Sequence, residues 1–121
     1  MAGSPAGFPR TSRLTRPGQF KRVFADPLRT SDDCLTLLAR PNGLDQPRLG
    51  LAIAKKHVRL AHDRNRLKRQ IREFFRVHRL EYPAVDLVIL ARHGIHAKSN
   101  EQIRRSLQTH LNRLRKQCAN S

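Results

Sequence analysis

The chain has 121 residues, room for one domain with one modest core. Its 25 Lys and Arg against 9 Asp and Glu leave a formal net charge of +16, which points to nucleic acid or an anionic membrane surface and away from a cationic partner. With 38% hydrophobic residues set periodically, it does not read as a disordered basic tail.

Residues 1–10, "MAGSPAGFPR", read as a flexible segment. They hold no apolar stretch of the secretory type, so a cytoplasmic protein is expected. "LTRPGQFKRVFAD" predicts a short helix with Thr15 as N-cap and Pro17 in the first turn. Phe20 and Phe24 are four apart and share a face, with Val23 beside them. "DCLTLLAR" and "RLGLAIAKK" read as strands around the turn-forming "PNGLDQP", which predicts an antiparallel hairpin. Cys34, Thr36 and Leu38 fall on one face of the first strand. In the second, Leu49, Leu51 and Ile53 alternate with the small Gly50, Ala52 and Ala54. A central helix is predicted from Ala61 to Arg79, ahead of Pro83. "VDLVILAR" is apolar throughout, the mark of a strand covered on both faces. The last helix is capped by Ser99 or Asn100 and buries Ile103, Leu107, Leu111 and Leu114. The order predicts an α/β fold: a small two-layer sandwich of one sheet packed with about three helices. The domain spans 11–117, followed by a tail at 118–121.

"DRNRLKRQIREFFR", Asp63 to Arg76, concentrates the charge. On a wheel of about 100° per residue, Leu67, Ile71, Phe74 and Phe75 share one arc. Lys68, Arg69, Arg72, Arg76 and Arg79 occupy the adjacent arc of roughly 40° to 140°, with Asn65 among them. Glu73 lies outside that arc. A merely solvated face usually alternates sign through (i, i+4) pairs. This arc holds cations alone, so it reads as a phosphate-binding stripe. Arg64 and Arg66 flank it. Asp63 and Asn65 also suit local closure of a helix start.

These residues carry a resemblance. "AKKHVRLAHDRNRLKRQIREFFR" resembles the signature of the bacterial ribonuclease P protein component, a KK pair ahead of an R-N-R-x-K-R-x-x-R-E-x-F-R run. The matching residues are Lys55, Lys56, Arg64, Asn65, Arg66, Lys68, Arg69, Arg72, Glu73, Phe75 and Arg76. "RLGLAIAKK" is similar to the family's R-x-G strand and "DLVILAR" to its D-x-V strand; the likeness runs from about Phe8 to Leu114. It implies a protein subunit that assists a catalytic RNA in removing the 5′ leader of precursor tRNA. It also implies a left-handed βαβ crossover and a basic helix bound to the RNA subunit. The cleft between the first helix and the sheet would then hold the leader. Lys55 and Lys56 join the RNA-binding set on this view, or stand in solvent. Phe20 and Phe24 match the cleft aromatics; stacking on unpaired bases and inward packing both remain open for them. Cys34, Thr36 and Leu38 are candidates to line the same cleft.

Protein-based phosphodiester hydrolysis needs clustered carboxylates with metal, or a His pair. The chain shows no D-x-D, HExxH or Gly-rich phosphate loop, so no catalytic or metal-ligating residues are assigned. His78 reads as a core residue, and Cys34 and Cys118 as reduced thiols. No cofactor is expected on the protein alone; Mg²⁺ is expected in the holoenzyme, held by RNA phosphates. The expected partners are the catalytic RNA subunit and precursor tRNA, without membrane, and the free protein is expected to be a monomer. The competing reading is a structural RNA-binding protein of ribosomal type. A helix-turn-helix regulator is disfavoured because strands flank the basic helix.

Overall fold

A computed structural model describes residues 13–119. The N-terminal segment 1–10 and positions 120–121 lie outside the described residues. The elements are α1 (Pro17–Ala25), β1 (Leu28–Ser31), β2 (Leu35–Pro41), β3 (Arg48–Ala52), α2 (Ala61–Val77), β4 (Val85–Ala91) and α3 (Asn100–Ala119). The strands form one sheet in the order β1-β2-β4-β3. Only the β3–β4 pair is parallel, joined by a crossover through α2.

The hairpin expected between β2 and β3 does not form, because β4 lies between them. The reason is burial. β4 is apolar on both faces and takes a central place, whereas β3 has one light face and goes to the edge. The turn chemistry is nevertheless real: Gly43 has φ +69°, and the Asn42 carboxamide accepts from Leu44 N at 2.8 Å. The actual hairpin is β1–β2, closed by Asp32 Oδ1, which accepts the amides of Cys34 and Leu35 at 2.9 Å. β1, "LRTS", is too short and polar to show a period.

On one sheet face, Leu35, Leu37, Leu49, Leu87 and Ile89 pack against Leu67, Ile71, Phe74 and Phe75 of α2 and the predicted stripe of α3. That is the two-layer sandwich. On the opposite face, Leu38 and Val88 meet Leu14 and Val23, so α1 covers the other side of β4. Ser99 begins α3 with a capping box: its Oγ accepts Gln102 N at 3.1 Å and its N–H donates to Gln102 Oε1 at 2.8 Å. At α1, Arg16 rather than Thr15 holds the N-cap, and Gln19 Oε1 accepts both their amides. The expected tail is partly helix, since α3 runs to Ala119 and Cys118 packs on the core.

Arg48 and Asp86 face each other across β3 and β4. Arg48 donates to both carboxylate oxygens, at 2.7 and 2.8 Å, and Asn42 Nδ2 adds a bond at 3.1 Å.

Candidate nucleic-acid interface

The apolar stripe of α2 fixes its rotation, since Leu67, Ile71, Phe74 and Phe75 are all buried against the sheet. The basic arc is thereby turned outward, but it straddles two grooves. Lys68 and Arg72 open onto a cavity of about 120 Å³ shared with Arg13, Leu14, Phe20 and the β3 residues Leu49, Gly50 and Leu51. Arg69 instead lines a groove towards α3, together with Arg66 and Arg104. Asn65, Arg69 and Arg72 are exposed, while Lys68 and Arg76 are half-buried.

The single ridge of five cations needs correcting at two places. Glu73 reaches Arg76 from one turn away, with bonds of 2.8 and 2.7 Å, so an acid does neutralise that end. α2 stops at Val77, and Arg79 sits in a separate 3-10 turn where the wheel no longer applies. Arg64 also acts locally. Its Nη1 donates to the carbonyls of Val58 and Arg59 at 3.0 and 2.9 Å, tying down the loop before α2. Arg66 Nη1 donates to Asn100 Oδ1 at 2.8 Å and links α2 to the start of α3. Lys55 and Lys56 lie past the end of β3, in an exposed turn closed by bonds from His57 and Val58 to Ala54 O.

The α1 face sorts the expected cleft residues by exposure. Val23 is the residue of α1 that packs inward, at 0% exposure. Phe20 is half-buried and lies against β3, where a Cβ on Gly50 would come within 2.6 Å of its ring. The light face of β3 is therefore the seat of Phe20. Phe24 is 46% exposed. Thr36 and Leu38 point to this face but are buried in it, Leu38 beneath α1 and Thr36 bonded to Ser31 Oγ at 2.7 Å. They do not line an open cleft. Cys34 does not share their face. β2 begins at Leu35, so alternation does not extend to Cys34, which packs with the α2/α3 core.

Sequence reasoning missed Arg13, Ala52 and Leu90. Ala52 and Leu90 are half-buried beside Phe20, and Arg13 lines the same cavity as Lys68 and Arg72. The small residues alternating in "LGLAIA" held the signal for Ala52. For Arg13 the signal is tertiary: Leu14 N donates to Leu49 O at 2.9 Å, which lays the segment before α1 along β3. Partial burial holds the Arg72 guanidinium below its ordinary pKa, and the nearby charge of Arg13 adds to this. The cavity thus gathers three cations and an aromatic ring, with no carboxylate in its lining.

Elsewhere, Asp32, Asp33 and Cys34 bring potential ligand atoms within 4.8 Å of one another. Both Asp32 oxygens and one Asp33 oxygen already accept hydrogen bonds. Asp32 accepts two amides and Ser106 Oγ, and Asp33 accepts Lys98 Nζ at 2.9 Å. His78 is not a core residue; it is half-buried and stacks on Phe74 with ring centroids 3.9 Å apart. Among the described residues no helix is long and apolar enough to cross a membrane.

The ribonuclease P family profile matches residues 8–115. The ribonuclease P protein component of Thioalkalivibrio sulfidiphilus is 50% identical over 114 residues, covering 94% of this chain and 95% of that one. That of Methylococcus capsulatus is 44% identical over 121 residues, covering 100% of this chain and 94% of the other. Among solved structures, the Staphylococcus aureus RNase P protein superposes with a TM-score of 0.78 at 29% identity, over 84% of this chain and 93% of that one. The Thermotoga maritima RNase P protein gives 0.76 at 29% identity, over 84% and 96%. With its profile match spanning nearly the whole chain and a shared fold beneath it, this chain belongs to the ribonuclease P protein family and serves tRNA processing as its protein component.

Proposed function

We propose that the chain binds the catalytic RNA subunit through the exposed cations of α2 and the single-stranded 5′ leader of precursor tRNA through the Phe20 face. One observation carries this: Arg13, Lys68 and Arg72 converge on the cavity that Phe20 also lines. A phosphate entering there meets several cations, and each such contact releases condensed counterions. A base beside it meets the Phe20 ring, and stacking of that kind contributes about 1–3 kcal/mol. The exposed Phe24 extends the same aromatic edge.

Hydrolysis itself belongs to the RNA. The Asp32 cluster spends its oxygens on hydrogen bonds within the chain, and Mg²⁺ is held by RNA phosphates. The protein lowers phosphate repulsion and orients the leader, as a monomer in the cytoplasm.

The test is leader dependence. Reconstituted with a bacterial catalytic RNA, the chain should bind precursor tRNA more tightly than mature tRNA. Phe20→Ala should erase about 1–3 kcal/mol of that preference while leaving assembly with the RNA subunit intact. Equal affinity for the two tRNAs would refute the leader contact. Cleavage by the pure protein with Mg²⁺ and no RNA subunit would refute the division of labour.

A further inference from the structure

The turn between β3 and α2 carries charge that the fold does not use. Lys55, Lys56 and Arg59 are all exposed. Among the described residues, no carboxylate pairs with any of their side chains. Like charges this close in the chain repel, and a loose turn would let them spread apart.

The turn is instead held at three places. The amides of His57 and Val58 both donate to Ala54 O at 3.1 Å. The Val58 side chain is buried in the core shared by the sheet, α2 and α3. From the first turn of α2, Arg64 Nη1 donates back to Val58 O at 3.0 Å and to Arg59 O at 2.9 Å. A charged donor on two carbonyls is a strong anchor, and turning it towards a phosphate would break both bonds. This anchor also fixes the turn relative to the helix whose exposed cations follow it in the chain. Cations held in place bind a polyanion more tightly than mobile ones, because less freedom is lost on contact.

We propose that Arg64 is a positioning residue: it fixes the β3–α2 turn so that Lys55, Lys56 and Arg59 meet phosphates of the RNA subunit as a preset group, and it does not itself touch RNA. This rests on the reading that the exposed cations of α2 bind that RNA, and it extends the contact to the loop ahead of the helix. Arg59 joins the set because Arg64 holds its carbonyl and leaves its side chain outward.

The experiment is a mutant cycle on the full chain, read as affinity for a bacterial catalytic RNA at several salt concentrations. Arg64→Ala should weaken binding about tenfold, an ordinary coupling between residues that act together. In a background carrying Lys55→Ala, Lys56→Ala and Arg59→Ala, the same change should cost less than about twofold and leave the salt slope where it was. A phosphate held by Arg64 itself gives a further loss in that background, with the slope falling by about 0.7–0.9. That outcome would overturn the proposal, and so would a background that binds as well as the natural chain. Amide hydrogen exchange in the free protein separates positioning from general damage. Arg64→Ala should speed exchange at His57 and Val58 and leave Val88, in the central strand β4, protected. Unchanged exchange in the turn would sink the idea. Faster exchange at Val88 as well would sink it too, since Arg64 would then serve the fold alone. Arg69→Ala reads the α2 face by itself. A loss there, with Arg64→Ala costing the same in both backgrounds, would leave the RNA reading standing and remove only the positioning role. No binding by the natural chain would remove both.

Discussion

Two arginines beside β3 live under opposite electrostatic rules. Arg48 is pinned to Asp86, whose side chain is 4% exposed, through a two-pronged bond. Arg72 faces another cation, Arg13, across a cavity without an acid in its lining. The first arrangement leaves no charge for a partner and holds β3 to β4. The second sets two like charges near each other, an arrangement that a phosphate would favour. A carboxylate within reach thus separates these two arginines, one serving the fold and the other a partner.

The largest loss is expected for Arg48→Ala. It strands a buried carboxylate, which costs about 3–5 kcal/mol. Urea unfolding should show this as a lower midpoint at unchanged slope. A loss below about 1 kcal/mol would mean that the pair behaves as a surface contact.

Asp32 gives a second internal node, and pH tests it. Burial pushes its pKa up, but Ser106 Oγ–H and the amides of Leu35 and Cys34, with His110 nearby, pull it down further, to about 2. The folded pKa lies below the unfolded one, so the stabilisation is complete above about pH 4 and is lost as pH falls towards 2. Asp32→Ala should cost about 2 kcal/mol at neutral pH and flatten that acid limb. An unchanged limb in the variant would assign acid lability to other carboxylates. His110 acts with the same sign under weakly acidic conditions. Burial lowers its pKa, so it contributes stability above its unfolded value and loses it as pH drops below about 6.5.

How much of this was legible depends on the residue. The rotation of α2 was, because Leu67, Ile71, Phe74 and Phe75 repeat at helical spacing and burial follows spacing. The double coverage of β4 was legible for the same reason. The Arg48–Asp86 bond was not, although both residues belong to the motifs "RLG" and "DLV". Their meeting depends on parallel pairing of β3 with β4, and local turn chemistry pointed instead to a β2–β3 hairpin. The site divides likewise. Lys68 and Arg72 were found on the wheel, but their partner Arg13 arrives through a chain segment laid along β3. Cys34 departs from the expected face because β2 begins at Leu35 and strand alternation does not reach it. Thr36 and Leu38 sit on the expected face, yet that face is closed by α1 and β1.

Lys68→Ala with Arg72→Ala should weaken binding of the precursor tRNA leader to the reconstituted holoenzyme. The slope of log affinity against log salt should fall by about 1.4–1.8 for two phosphate contacts. Isothermal titrations at several salt concentrations measure this. An unchanged slope would place the phosphates elsewhere on α2, with Arg66 and Arg69 the next candidates.

The smallest effect is the most diagnostic. Arg72→Ala alone should leave the free protein as stable as before, or a few tenths of a kcal/mol more stable, because it relieves the repulsion from Arg13. Most substitutions destabilise, so a neutral or positive result at a partly covered arginine is not the default outcome. The gain should shrink as salt is added, since screening already weakens the Arg13–Arg72 repulsion. With RNA bound the sign should reverse, because the phosphate that held the pair together loses a partner. If Arg72→Ala instead destabilises the free protein by more than about 1 kcal/mol, Arg72 is held by packing of its alkyl stem, and the contrast with Arg48 collapses.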